Sequence, residues 1–201
     1  MDVSIAAGES VSDLLVQLKE KALAAKDQSL DSASRTAYNE DFKRLRDQIT
    51  KVVNNADFNG TNMVKSGGSD ITAIVDAAGS STITVTKEDL SLGGSIVTIA
   101  ATESIGTVAA ASAAAISLDT SITNVGAALA RLGAGSKALG ISNTFASKIS
   151  DALQTGLGNL VDADLSRESA RLQSLQVKQQ LGIQALSIAN QSSSMLLSLF
   201  R

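Results

Sequence analysis

The chain has 201 residues, of which 44% are apolar but only 2% are aromatic, and its net charge is −3 at pH 7. It contains no cysteine and no histidine, which excludes disulfides, thiol nucleophiles, Ser-His-Asp triads and HExxH metal helices. The mixed charge offers no basic surface for nucleic acid. With no proline and few rings to fill a compact core, the composition favours long helices that pack along narrow Leu, Ile, Val and Ala seams. We therefore predict no enzyme activity and no catalytic, metal or cofactor site.

Two amphipathic helices are predicted in the first 60 residues. The first covers residues 10–29, begins at a Ser10–Asp13 capping box and has apolar residues at helical spacing. Residues 27–34 are polar and predict a turn. The second helix is more regular and ends at Asn59-Gly60, a left-handed C-terminal signal. We expect it to pack through Tyr38, Phe42, Leu45 and Ile49.

The pattern changes to short β-branched segments between residues 61 and 101. Glycines separate three runs, Ile71–Val75, Thr82–Thr86 and Ile96–Ile99, which predict three short strands in hairpins. From about 103 to 155 the helical period returns, with Gly133, Gly135 and Gly140 predicting a kink or brief interruption. We expect this third helix to pack in the same rod through Leu118, Ile122, Val125, Leu129 and Leu132.

A final helix is predicted from about 165 to 199, after an interruption at residues 156–159. Residues 179–200 carry no charge, yet Gln, Asn and Ser make about half of them polar, so the segment is not a membrane anchor. The helix has apolar residues on two sides, and a lone helix buries none of them. It therefore needs partners, and we predict assembly contacts at Leu165, Leu172, Leu175, Leu181, Leu186, Ala189, Leu196, Leu199 and Phe200.

Two stretches resemble the bacterial flagellins, and the resemblance covers the chain outside the hairpin tract. Residues 35–49 read RTAYNEDFKRLRDQI and are followed by NADFNG at 55–60, similar to a flagellin helix closed by T/A-x-F-N-G. Near the other end, QQLG at 179–182, ANQ at 189–191 and LLSLFR at 196–201 resemble the flagellin terminus. The type is that of small alphaproteobacterial flagellins, which implies a structural subunit of the flagellar filament.

The resemblance implies a mainly α fold: an elongated antiparallel long-helix rod, a small β-hairpin region and a separate C-terminal helix. Rod helices would occupy 1–60 and 102–158, the variable hairpin region 61–101, and the inner-tube helix 159–201. The expected partners are other flagellin copies, an export chaperone and the cap and hook-junction proteins, in a secreted, extracellular flagellum. Residues 2–8 resemble the interior of the family's first helix, so the chain is expected to lack the N-terminal arm.

Two alternatives remain open at this stage. A hook–filament junction protein shares the terminal helices, although Phe58-Asn59-Gly60 and the short hairpin tract favour the filament subunit. A non-polymerising helical bundle fragment would share the composition but would not explain the terminal motifs.

Overall fold

The computed structural model describes residues 1–76 and 79–199, with side-chain surroundings for these except at 163 and 192–199. Its elements, in chain order, are α1 (Asp2–Ala25), α2 (Ser32–Asn55), β1 (Ile71–Ile74), β2 (Thr82–Val85) and α3 (Val108–Leu199). The chain divides into two compact units, Met1–Ala146 and Ser147–Arg201, called unit 1 and unit 2 below. The prediction of a mainly α fold with long helices and a small hairpin is confirmed.

In unit 1, α1 runs antiparallel to both α2 and α3. Lys21 Nζ lies 3.3 Å from Asp41 Oδ2 and 5.6 Å from the centre of the Tyr38 ring. On its other side, Lys19 Nζ lies 2.5 Å from Asp119 Oδ1. These contacts place α1 between α2 and α3, and the three helices share the apolar core of unit 1.

The turn between α1 and α2 is closed by side chains at both helix ends. Asp31 is the N-cap of α2, and its carboxylate accepts from the Ser34 N–H at 2.9 Å. This bond, followed by the one from the Ser34 hydroxyl, lowers the pKa of Asp31. Arg35 reaches back to cap α1, donating to the carbonyls of Ala25 at 3.1 Å and Asp27 at 2.7 Å.

All nine residues predicted to pack the rod lie in or against the core of unit 1. Phe42, Ile49, Leu118, Val125 and Leu132 are buried in it. The partly buried remainder packs against the same cluster and comprises Tyr38, Leu45, Ile122 and Leu129. Their role in a filament rod, and the three-part domain division predicted above, stay predictions.

A long irregular segment, residues 86–107, connects β2 to α3 and is called the strap. It carries buried apolar side chains, among them Leu90, Val97, Ile99 and Ile105. The strap's backbone bonds to other parts of unit 1: Glu88 N–H donates to the Met63 carbonyl, and Leu90 N–H to that of Val64. It thus completes a core that the three helices leave open.

The prediction of a third strand at Ile96–Ile99 is wrong within the described residues. The strands β1 and β2 pair antiparallel, with Ile71 opposite Val85, and no third strand joins them there. The strap's backbone is satisfied by α3 side chains instead, since Thr98 N–H donates to the Ser121 hydroxyl. Asn124 donates to the carbonyls of Ser95 and Ile96.

Helix boundaries also differ from the predictions. The first helix begins at Asp2, so Ser10 is interior and its hydroxyl donates to the Ala6 carbonyl rather than capping. Helix α2 ends at Asn55. Asn59 and Gly60, with φ of 50° and 78°, form a separate tight turn closed by two bonds between Phe58 and Thr61.

Helix α3 is continuous where interruptions were predicted, both at Gly133–Gly140 and at residues 156–159. The predicted separate C-terminal helix is therefore the last part of α3. Each glycine costs only about 1 kcal/mol relative to Ala. Without a proline, no helical hydrogen bond is lost, and cooperative propagation carries the helix through.

Gly135 has a packing role that the sequence did not reveal. A Cβ at this position would lie 2.5 Å and 2.9 Å from the two γ carbons of Val85. Val85 is buried at the end of β2, and its branched side chain has little freedom to move away. The missing side chain at Gly135 therefore lets the hairpin rest on α3.

The two neighbouring glycines of α3 provide a matched test of this role. Gly133→Ala meets open space and should stabilise unit 1 by about 0.5–1 kcal/mol through helix propensity. Gly135→Ala gains the same propensity but overpacks against Val85, so it should be less stable than Gly133→Ala by about 1–3 kcal/mol. The free energies of unfolding of both variants can be measured by urea unfolding followed through the fluorescence of Tyr38. Tyr38 is the one tyrosine, and the chain has no tryptophan to mask its signal. Equal stabilisation by the two changes would contradict the packing role.

Candidate assembly surfaces

The most prominent surface feature of unit 2 is an apolar helix exposed on several sides. Twelve large apolar side chains between Leu153 and Ile188 are each 49–71% exposed. In unit 1 the first part of α3, from Ala111 to Leu132, instead turns an apolar face into the core. A helix that is apolar around most of its circumference is typical of one buried among neighbours.

The predicted assembly residues lie on this exposed helix as far as the structure describes them. Leu165, Leu172, Leu175, Leu181 and Leu186 are 54–66% exposed. Ala189 is also exposed. For Leu196 and Leu199 the helix is described but not the side-chain surroundings, and Phe200 lies outside the described residues.

The charged residues in the described part of unit 2 all lie at or before Lys178. They are Lys148, Asp151, Asp162, Asp164, Arg167, Glu168, Arg171 and Lys178, and the 21 positions that follow, through 199, are uncharged. Among these side chains Arg171 pairs with Glu168 at 3.9 Å, and both are more than half exposed. Such a pair contributes little to stability in water, so the monomer gains little from the outer face of this helix.

An ion pair with a nearly buried carboxylate fastens the strap to α3 in unit 1. Arg131 donates from Nε and Nη2 to the two carboxylate oxygens of Glu88, at 2.6 Å and 2.7 Å. The Glu88 side chain is only 11% exposed, whereas that of Arg131 is 57% exposed. The hydrogen bonds that Arg131 donates to Glu88 raise the pKa of Arg131. The planar geometry of the two bonds holds the strap in one position on α3. No local pattern predicts this pair, because its members are 43 residues apart in the chain.

A second buried polar group organises the segment after α2. Asn62, which is 2% exposed, donates to the Val53 carbonyl at 2.9 Å. Its side-chain oxygen accepts from the N–H groups of Val64 and Lys65. One side chain thus caps the end of α2 and shapes the turn that presents Met63 and Val64 to the strap.

Across 1–76 and 79–199, no group of three or more acidic, His or Cys side chains is placed to hold a metal ion. No helix in those ranges is long and apolar enough to cross a membrane.

Comparison with known proteins places both ends of the chain in one family. The profile of the bacterial flagellin N-terminal helical region matches residues 1–67, and that of the C-terminal helical region matches 116–200. Flagellin FljM of Caulobacter vibrioides is 51% identical over the whole chain, which spans 72% of that relative. Flagellin A of Rhizobium meliloti is 41% identical over 67% of this chain and 35% of its own length.

A solved structure shares the fold. Bacillus cereus flagellin superposes with a TM-score of 0.58 over 71% of this chain and 79% of its own, at 20% identity. Long helices, a small hairpin and a large uncovered apolar helix define a structural protein of the self-assembling class. The chain belongs to the bacterial flagellin family and is a structural subunit of the flagellar filament. The resemblance seen in the sequence is thereby confirmed.

Changing Arg131 should lower the stability of unit 1 more than changing Glu88, its partner in the strap's ion pair. Arg131→Ala leaves a nearly buried carboxylate without its donors and should lower the free energy of unfolding of unit 1 by about 1–3 kcal/mol. Glu88→Gln keeps the shape and leaves an arginine that can reach water, so it should cost less. Arg44→Ala is the control, because its 3.3 Å pair with Asp41 is exposed and should be worth under about 0.5 kcal/mol. Urea unfolding followed through Tyr38 fluorescence measures the free energy of unfolding of each variant. Equal losses in all three variants would contradict the asymmetry.

Proposed function

We propose that the chain assembles into the filament through the exposed helix of unit 2, while unit 1 is a rod folded before assembly. The observation that carries the proposal is the contrast between the two units. The apolar residues of unit 1 are largely buried within one chain, whereas those of unit 2 stay exposed. Burying a large apolar side chain contributes about 1.5–3 kcal/mol, so packing among other copies supplies the driving force that the monomer lacks.

The composition of the helix supports burial against other protein rather than in lipid. Between residues 179 and 200 the polar residues are Gln, Asn and Ser, which can donate and accept hydrogen bonds to neighbouring helices. A buried charge without a partner costs several kcal/mol, and this stretch has none to bury. The helix therefore suits a packed tube of like helices, with contacts at Leu165, Leu172, Leu175, Leu181, Leu186 and Ala189 and, by sequence, at Leu196, Leu199 and Phe200.

The same surface calls for protection before assembly. Twelve exposed large apolar side chains far exceed the scattered few that a soluble monomer normally shows. An export chaperone that covers this helix, followed by delivery through cap and hook-junction proteins to an extracellular flagellum, fits that need. We extend the proposal to the absence of catalysis, supported by the family's structural character and by a sequence without His or Cys.

Charge placed on the exposed helix should block assembly without weakening the rod. Leu172→Asp with Leu186→Asp puts two carboxylates where the filament buries apolar groups, at several kcal/mol per unpaired charge. Both side chains are more than half exposed in the monomer, so the unfolding of unit 1 should not change. Ser169→Asp, in the charged part of the helix, is the control. Sedimentation and electron microscopy should show filaments for wild type and control only; filaments from the double variant would overturn the proposal.

The monomeric helix of unit 2 should be marginally stable. Isolated helices in water open readily, and Gly182 weakens this one by about 1 kcal/mol. Amide hydrogen exchange across residues 165–189 of the dilute monomer should therefore be at least about 100-fold faster than at the core positions of α2. Protection there should rise on assembly. Exchange as slow as in α2 before assembly would show that the helix is stable by itself.

A further inference from the structure

The tight turn after α2 holds the chain's only Asn-Gly sequence, Asn59-Gly60, in solvent. Its φ angles of 50° and 78° are those of a type I′ turn. The turn is closed by Phe58 N–H to the Thr61 carbonyl at 2.9 Å and by Thr61 N–H to the Phe58 carbonyl at 3.0 Å, and is called the Phe58–Thr61 turn. Among the described residues, none hydrogen-bonds to the Asn59 side chain or to the Gly60 N–H.

An asparagine followed by glycine is open to a reaction within the chain. The backbone nitrogen of the glycine attacks Cγ, the carbon of the side-chain amide. The new C–N bond closes a five-membered succinimide ring, the bond from Cγ to the amide nitrogen breaks, and ammonia leaves with the proton of the backbone nitrogen. Water then adds to either carbonyl of the ring and opens it, which gives aspartate or isoaspartate. The reaction needs no oxidant, reductant or enzyme.

The surroundings of Asn59 allow this reaction better than those of the nearby asparagines. A Cβ at Gly60 would meet nothing within 4 Å, so the attacking nitrogen is uncovered, and glycine has no side chain to hinder close approach. Asn62 is 2% exposed, and three hydrogen bonds hold its side chain. Asn54 and Asn55 end α2, where the backbone N–H that follows each of them is hydrogen-bonded.

The turn that exposes Asn59 also restrains its reaction. In a type I′ turn, the ψ angle of the first central residue directs the next backbone nitrogen away from the Cβ of that residue. Ring closure therefore requires rotation about the Cα–C bond of Asn59. This rotation moves Phe58 away from Thr61 and breaks the two hydrogen bonds between them. Opening of the turn must therefore precede the attack.

We propose that Asn59 is a site of spontaneous deamidation, and that opening of the Phe58–Thr61 turn sets its rate. The inference does not depend on how the chain assembles. Aspartate would add a carboxylate two residues from Asp57, which lies 3.5 Å from Lys65 Nζ. Isoaspartate would add a carbon atom to the backbone of a two-residue loop, so the paired residues at its ends could not keep their register. The reaction thus converts a fixed turn into a loose one as the protein ages.

Peptide mass spectrometry of the incubated monomer measures the reaction at each asparagine. Trypsin releases residues 52–65 as one peptide, which contains Asn59 together with Asn54, Asn55 and Asn62. Replacement of the amide nitrogen by oxygen raises the mass, and fragmentation locates the change. A sample digested without incubation corrects for reaction during digestion. In the folded protein at mildly alkaline pH, Asn59 should react fastest of the four; a rate no higher than that of its neighbours overturns the site.

The same protein unfolded in urea measures the reaction with the turn open. Loss of two hydrogen bonds of ordinary net strength predicts that Asn59 reacts at least about tenfold faster in the unfolded chain. A synthetic peptide of residues 52–65, incubated with and without urea, is the control for effects of urea on the reaction itself. Equal rates in the folded and unfolded chains overturn the restraint by the turn.

A variant of the turn tests the restraint in the folded protein. Thr61→Pro removes one of the two N–H donors and disfavours the backbone conformation of Gly60, while Asn59 and Gly60 themselves stay in place. The rate at Asn59 should rise at least about twofold, and that at Asn54 should not change. An unchanged rate at Asn59 in the folded variant overturns the restraint. If circular dichroism shows that the variant does not fold, the comparison of folded and urea-unfolded wild type decides alone.

Discussion

The structure depends on close approach between elements that have few large side chains to fill the space between them. Phe42 is the one aromatic residue buried in unit 1 among those described, and the face of α3 that enters the core consists largely of Ala, Val and Leu with one buried Ser. Protein interiors are close-packed, so small side chains must be matched by short distances. Gly135 under Val85 and Ser121 under the strap are two places where α3 admits a neighbour at its surface.

Helix α3 serves two different requirements along one continuous stretch of backbone. Between Ala111 and Leu132 one apolar face of α3 is buried in the core of the same chain, and polar groups of this part hold the strap through Ser121, Asn124 and Arg131. After Ser147 the large apolar side chains, from Leu153 to Ile188, are instead 49–71% exposed. The proposed assembly through unit 2 gives a physical reason for this difference, because the second set would be buried by other copies in the polymer.

Local patterns predicted most of the elements because their causes are local. The three- and four-residue spacing of apolar groups predicted α2, although its end was placed at Asn59-Gly60 and not at Asn55, and β-branched alternation predicted both strands that form. The strap could not be predicted, since its partners are far away in sequence: Asn39 accepts from Ile105 N–H across 66 residues, and Arg131 reaches Glu88 across 43. Of the candidate sites, the unit 2 helix was visible in the sequence, whereas the turn that restrains Asn59 is seen only in the structure, since the same residues also fit the end of a helix.

The turn between α1 and α2 has a consequence for the order of folding. Arg35 joins the two helices through partners only 10 and 8 residues away, so this hairpin closes a short loop at small entropic cost. The Lys19–Asp119 contact instead spans about 100 residues, and α3 can dock only after the strap has been brought round. Since local contacts form fastest, α1 and α2 are expected to pair first and present the template on which α3 and the strap condense.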